Sequence, residues 1–341
     1  MIDSLVKELE IRKNELADQQ IGTIYLGGGT PSLLTATQLR LLIDTVHLHY
    51  ACQPEIECTL EANPDDISAT AISDWKVAGI NRLSIGLQSF DDRDLLWMNR
   101  AHNAAQSLEC IRLAHAGGIL NCSIDLIYGL PDMDNARWME QIRTALSLGA
   151  SHISAYCLTV EEKTALHRQV AQKQVHVASN EQQSEQFDLL IETLAEAGYE
   201  QYEISNFART GFISKHNSNY WKGIHYVGIG PSAHSFNGKQ RSWNIANNAQ
   251  YMRLMRQGKT WFETEDLSPV NQFNELILTG LRTKWGVNLT ALAEILPPDK
   301  TFYDQIERFV DQKWMVQQAD HLILTSEGKH WADAIAQDLF L

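Results

Sequence analysis

Cysteine is scarce in this sequence, and what there is cannot pair. The five cysteines are Cys52, Cys58, Cys110, Cys122 and Cys157, an odd number at wide spacing with no C-x-x-C pair. That excludes a disulfide framework and a paired-thiol zinc or redox motif, and leaves buried free thiols as the expectation. Positive charge is short as well: Lys+Arg 28 against Asp+Glu 42 gives a formal net charge of -14. That balance disfavours a broad nucleic-acid or anionic-membrane surface. No apolar run approaches the about 20 residues that span a bilayer. Met1-Ile2-Asp3-Ser4-Leu5 lacks the basic-then-apolar start of a signal peptide. A cytoplasmic protein is therefore expected. Neither G-x-G-x-x-G nor G-x-x-x-x-G-K-S/T occurs, so neither a dinucleotide fold nor a P-loop is supported.

What is present organises itself around Thr23-Ile24-Tyr25-Leu26-Gly27-Gly28-Gly29-Thr30-Pro31. Strand-forming residues run into three glycines, whose missing Cβ atoms let a ligand lie against the backbone. Pro31 then fixes the exit towards a helix over 35–50. Residues 2–16 before it carry apolar side chains at helical spacing, with Asp3 or Ser4 as a cap. Strands follow at 56–61, 82–87, 122–128 and 152–158, separated by helices near 68–78, 91–98, 104–116 and 135–148. This alternation is that of a parallel sheet or βα barrel, with ligands at the C-terminal ends of the strands. After 159 the pattern changes: a polar stretch to 182, a helix over 183–197, then an Asn-, Gly- and aromatic-rich region over 199–245. Helices at 270–283, 290–296 and 301–312, a hairpin at 314–324 and a helix from Ser326 read as a small α+β cap. With 341 residues the length favours two domains.

Polar residues at successive strand ends form a set: Gly28, Gly29 and Thr30, then Glu61, Gln88 and Asp125, with Arg100 on the segment after Gln88. A carboxylate there accepts hydrogen bonds from ribose hydroxyls or an ammonium, and Arg100 fits a carboxylate bidentately. Together they suit a ligand bearing a sugar, an amine and a carboxylate. Taken one at a time, these acids cap helices and the arginine makes a surface ion pair.

Several motifs stand in order: Gly27-Gly28-Gly29-Thr30-Pro31, Glu61-Ala62-Asn63-Pro64, Ser84-Ile85-Gly86-Leu87-Gln88-Ser89-Phe90, Asn99-Arg100 and Ile124-Asp125-Leu126-Ile127-Tyr128-Gly129-Leu130-Pro131. The chain resembles the oxygen-independent coproporphyrinogen oxidase branch of the radical SAM family over nearly its whole length. That resemblance implies a partial parallel (β/α)6 barrel with S-adenosylmethionine beside a [4Fe–4S] cluster. By position, Gly28, Gly29, Thr30, Glu61, Gln88, Arg100 and Asp125 match the residues that contact S-adenosylmethionine. His216-Asn217-Ser218-Asn219-Tyr220-Trp221 is similar to the H-N-x-x-Y-W motif of haem chaperones within the branch. On that reading His216, in a glycine-flanked loop, offers a ring nitrogen to haem iron, while Tyr220 and Trp221 lie against the porphyrin and Asn217 completes the motif. His102, His115, His152, His225 and His234 are left as structural. The domains expected are a radical SAM-type partial barrel over 1–160, a connecting region with the haem motif over 161–265, and a helical C-terminal domain over 266–341.

The family holds its cluster with C-x-x-x-C-x-x-C after the first barrel strand, and no such motif occurs here. The fold expected is thus an α/β partial barrel lacking its first strand, with an open sheet edge at 23–26. Cluster ligands are expected to be absent from this chain and encoded, with that strand, upstream of Met1. Three functions are open: a haem chaperone delivering haem to an acceptor protein; an oxygen-independent coproporphyrinogen III dehydrogenase; and a cluster-free βα-barrel lyase or isomerase with Glu61 or Asp125 as base. His216 to Trp221 favours the first.

Overall fold

A computed structural model of the protein describes residues 1–16 and 19–341. The chain opens with α1 (Ile2–Ile11), β1 (Ile21–Leu26), α2 (Ala36–His49), β2 (Cys52–Ala62), α3 (Ala69–Ala78) and β3 (Arg82–Gln88). There follow α4 (Asp92–Trp97), α5 (Ala104–Ala116), β4 (Cys122–Tyr128), α6 (Asn135–Ser147), β5 (His152–Cys157), α7 (Ala165–Ala171), α8 (Asn180–Glu196), β6 (Tyr199–Glu203) and β7 (Asn206–Arg209). The remainder is α9 (Lys215–Trp221), β8 (His234–Phe236), β9 (Gln240–Asn244), α10 (Asn248–Gln257), β10 (Phe262–Asp266), α11 (Pro269–Leu281) and β11 (Val287–Asn288). It ends with α12 (Leu289–Ile295), α13 (Lys300–Asp311), β12 (Met315–Gln318), β13 (His321–Leu324), α14 (Ser326–Lys329) and α15 (Ala332–Asp338).

The main sheet has seven strands in the order β1-β2-β3-β4-β5-β7-β6, with β1 at its edge. β2 to β5 pair in parallel, and β7 runs antiparallel to both β5 and β6. It is a mostly parallel, curled α/β half-barrel, followed by small sheets and helices. The helices begin where the sequence supplies caps: Ser68 accepts from the Ala71 amide, and Asn103 and Gln106 form a reciprocal capping box on α5.

Strand alternation gives this sheet two different faces. Leu60, Leu83, Ile85, Ile124, Leu126, Ile153 and Ala155 form an aliphatic side, and the crossover helices contribute Ile72, Trp75, Ile111, Trp138 and Ile142 to the same core. The alternate positions are polar. Register puts Thr59 beside Arg82; Glu61, Ser84, Ser123 and His152 in one row; and Asp125, Ser154 and Asn206 in the next.

The chain divides into two compact units. The first holds residues 1–24, 37–57 and 215–341, and the second 25–36 and 58–214. In the first, two small sheets run β10-β9-β8 and β11-β13-β12. α1 ends at Ile11, short of the expected 16, and its N-cap is Met1 with no side-chain cap, where Asp3 or Ser4 was expected. The helix stops where Arg12 commits its guanidinium to Glu15 and to the Gly228 carbonyl.

Glu8 is fully buried in this unit and saturated with donors. Its Oε1 accepts from Asn244 Nδ2 at 2.7 Å and Trp261 Nε1 at 2.9 Å; its Oε2 accepts from the Gly230 amide at 2.8 Å and from the Tyr251 hydroxyl. Arg12, 3% exposed, lies at 3.5 Å. One carboxylate thus ties α1 to the Gly228–Gly230 turn, to β9, to α10 and to Trp261. Removing a partner from such a buried set strands the rest. Glu8→Ala is expected to cost about 3 kcal/mol or more of stability, read as a lowered urea midpoint; an unchanged midpoint would contradict this account.

Candidate functional site

In the second unit the C-terminal ends of β1 to β4 converge on one polar set. Tyr25, pointing from β1, donates its hydroxyl to Glu61 Oε1 at 2.8 Å, and the Gly28 amide donates to Oε2 at 3.0 Å. Gly27 makes the approach possible: a Cβ there would fall 2.6 Å from both Glu61 Oε1 and Tyr25 Cε1. Gly28 takes φ +76, which favours glycine, and a Cβ on Gly28 or Gly29 would meet nothing within 4 Å. So Gly27 is required by packing, while Gly28 and Gly29 face open space. Thr30 starts the 3₁₀ turn Pro31–Leu33 without capping it through its side chain.

Arg100 reaches back over β3. One terminal nitrogen donates to Asn63 Oδ1 at 3.2 Å and to the Gly86 carbonyl at 3.1 Å. Its Nε is buried with no hydrogen-bond partner among the described residues. Gln88, at φ 69, leaves the strand in left-handed conformation, and a Cβ on Gly86 would sit 3.1 Å from Gln88 Nε2 and 3.5 Å from Arg100. Gly86 is thus the floor over which the two side chains meet.

Asp125 follows on β4. Burial pushes its carboxyl up to about 6; the Glu61 charge adds to this, while Ser154, Arg82 and Arg100 oppose it. Ser154 Oγ donates to Asn206 Oδ1 at 2.9 Å, and Asn206 in turn donates to Glu203 Oε2 at 2.6 Å. Below, His152 is fully buried between Ser123 Oγ at 2.6 Å and the Tyr202 hydroxyl at 2.7 Å, and burial drives its pKa well down. Tyr25, Asn63, Ser154 and Asn206 lie outside the set that strand ends alone indicate, whereas His152 is the structural histidine expected. Their signal was the alternate polar position within each strand.

The second candidate set belongs to the other unit. His216, Asn217, Tyr220 and Trp221 lie on α9, a helix where a loop was expected. The reason is distant in sequence: the buried Glu57 carboxylate accepts from the Lys215 and His216 amides at 3.1 and 2.9 Å, capping the helix. His216 Nδ1 pairs with Thr23 Oγ1 and Nε2 with the Tyr220 hydroxyl, each at 3.1 Å. Tyr220 stands edge-on to Tyr226 at 4.8 Å and is 43% exposed. Arg282 covers the Trp221 ring at 5.6 Å. His102 and His152 are buried and hydrogen-bonded within the fold.

The half-barrel with its polar strand ends defines a class, and comparison with known proteins agrees. Residues 3–145 match the profile of the Radical SAM superfamily. The chain is 35% identical over 295 residues to the heme chaperone HemW of Bacillus subtilis, covering 86% of this chain and 78% of that protein. It is 32% identical to HemW of Mycobacterium tuberculosis over 98% of this chain and 85% of that one. The solved coproporphyrinogen III oxidase HemN of Escherichia coli superposes with a TM-score of 0.82 at 18% identity, over 99% of this chain and 82% of that one. The chain belongs to the heme chaperone HemW family, in the HemN-like branch of the radical SAM superfamily.

That superfamily implies S-adenosylmethionine and a [4Fe–4S] cluster. The strand-end set fits the first: an orphaned Arg100 Nε, paired acids and an open glycine cradle. The cluster is not matched. Among the described residues no three His, Cys, Asp or Glu side chains gather to hold a metal. Burial holds Cys110 and Cys122 up at about 12 and Cys157 at about 11, which disfavours the thiolates a cluster needs.

A group whose folded pKa is raised binds its proton more tightly than the unfolded chain does. Its contribution to stability is therefore lost as pH rises from the ordinary aspartate range through about 6. Asp125→Asn should flatten melting temperature against pH across that window and stabilise the protein by about 1–3 kcal/mol at neutral pH. A variant less stable than the parent at neutral pH would contradict this.

Proposed function

We propose that the protein is a haem chaperone that binds haem through α9, binds S-adenosylmethionine at the strand ends, and passes haem to an acceptor protein in the cytoplasm. The observation that carries the reading is His216, fixed from one side by Thr23 and displayed beside an exposed Tyr220. Ligating haem iron through Nε2 asks the Tyr220 hydroxyl to give way, while the Thr23 bond to Nδ1 keeps the ring oriented. No described helix is long and apolar enough to cross a membrane.

At the strand ends each chain residue has a plain role. Glu61, already oriented by Tyr25 and Gly28, keeps lone pairs on both oxygens for ribose hydroxyls. Arg100 offers its unpartnered Nε to the methionyl carboxylate. Asp125 and Gln88 face the amine side, and Gly28 and Gly29 let the ligand approach the backbone. S-adenosylmethionine brings a sulfonium-activated adenosyl and methionyl group to that floor.

Haem titration tests the first half. His216→Ala is expected to abolish the Soret shift of ligated haem, and Tyr220→Phe to keep it. Unchanged haem spectra in His216→Ala, or turnover of coproporphyrinogen by the protein, would overturn the chaperone reading. For the second half, calorimetry of Gly29→Ala should show S-adenosylmethionine affinity falling about ten-fold or more at unchanged melting temperature, because the added methyl enters ligand space alone. Equal affinity would remove the ligand from this site.

A further inference from the structure

Asn63 belongs to the motif Glu61-Ala62-Asn63-Pro64, and its side chain stands between two groups of opposite hydrogen-bonding character. Its Oδ1 accepts from Arg100 Nη2 at 3.2 Å, and its Nδ2 donates to Asp66 Oδ2 at 3.3 Å. A guanidinium only donates and a carboxylate only accepts, so a single orientation of the amide serves both. Asp66 Oδ2 also accepts from the Ser32 hydroxyl at 2.6 Å. Ser32 lies in the turn Pro31–Leu33 after the three glycines, and Asp66 in the turn Pro64–Asp66 after β2. One relay, from Ser32 through Asp66 and Asn63 to Arg100, therefore joins the ends of β1 and β2 to the segment after β3.

The relay constrains the arginine. Arg100 Nη2 also donates to the Gly86 carbonyl at 3.1 Å, so its two N–H groups have two acceptors. A guanidinium is planar and rigid, and holding one terminal nitrogen at two points sets the plane of the whole group. Its Nε is left buried with no hydrogen-bond partner among the described residues. Asn63 and Asp66 are themselves half-buried, where hydrogen bonds are stronger than in open water.

We propose that Asn63 and Asp66 are positioning residues that aim Arg100 at the carboxylate of the bound ligand, and so set a preference for a ligand whose carboxylate is free. This rests on the S-adenosylmethionine reading above and adds to it groups that act through Arg100 rather than on the ligand. Asp66 orients the Asn63 amide, Asn63 holds the guanidinium, and Ser32 couples that hold to the glycine turn. Without Asn63 the guanidinium keeps its charge and its Gly86 bond but gains freedom to turn. An arginine that must be ordered on binding returns less affinity than one already in place.

The test is calorimetric and compares S-adenosylmethionine with its decarboxylated form, which keeps the adenosyl, sulfonium and amine groups. Wild type should prefer the carboxylate-bearing ligand by on the order of ten-fold, the scale of one hydrogen bond between charged groups. Asn63→Ala and Asp66→Ala should each lose most of that preference while binding the decarboxylated ligand as wild type does. Asp66→Asn, which keeps an acceptor oxygen in place, should restore it. Ser32→Ala, the mildest cut in the relay, should lower the preference about two-fold. In Arg100→Met the preference should be absent, and adding Asn63→Ala should change nothing further, because the amide acts only through the guanidinium. A preference kept in both Asn63→Ala and Ser32→Ala would overturn the positioning role with the S-adenosylmethionine reading intact. So would an equal loss of both ligands in those variants, or a further effect of Asn63→Ala beside Arg100→Met. Failure of wild type to bind S-adenosylmethionine at all would overturn both.

Discussion

A parallel sheet that buries a polar face must find partners for most of the groups on that face, and this requirement shapes the second unit. An unpaired buried hydroxyl, imidazole or carboxylate costs far more than a single paired one returns. The chain answers with linked bonds across neighbouring strands. Ser123, His152 and Tyr202 form one relay, and Ser154, Asn206 and Glu203 form another. These relays hold the floor rigid, so the strand-end groups above it are oriented before any ligand arrives. The raised carboxyl pKa of Asp125 and the orphaned Arg100 Nε mark two places where the fold leaves polar groups short of partners. Both lie at the strand ends, where a ligand with an amine and a carboxylate would supply what is missing.

Buried carboxylates play the organising role in the first unit. Glu8 gathers donors from five directions, including Arg12, and Glu57 holds the first amides of α9. The second bond set matters for function because it fixes the helix on which His216 and Tyr220 stand. Thr23 then fixes the imidazole itself. Support of this kind, in which a donor or acceptor behind a histidine sets its orientation, is what makes a ring nitrogen a usable iron ligand.

The dispersion of the thiols has an equally physical cause. Cys58, Cys110 and Cys122 are buried among aliphatic side chains, where they behave as small hydrophobes. A cluster needs thiolates, and burial favours the protonated thiol. These three cysteines therefore serve packing, while Cys52 and Cys157 are only half-buried, short of the burial expected for all five.

Much of the half-barrel was legible in the sequence because its signals are local. α5 and β4 occupy the expected residues, since a capping box and a short apolar stretch ending at glycine are written within a few positions. The open edge at β1 and the strand-end set followed from the same repeat. What stayed hidden depends on partners far away in sequence. α9 carries no helix signal of its own because its cap is the distant Glu57. The β8–β10 sheet was missed because its strands are short and polar, and only pairing with one another makes them strands. Arg82, His152 and Tyr202 carried no motif. By itself the sequence determined which residues alternate, cap and turn, because those preferences act between near neighbours. Only the tertiary structure decided which buried charges, rings and hydroxyls satisfy one another, because such groups find partners by closure of the whole chain.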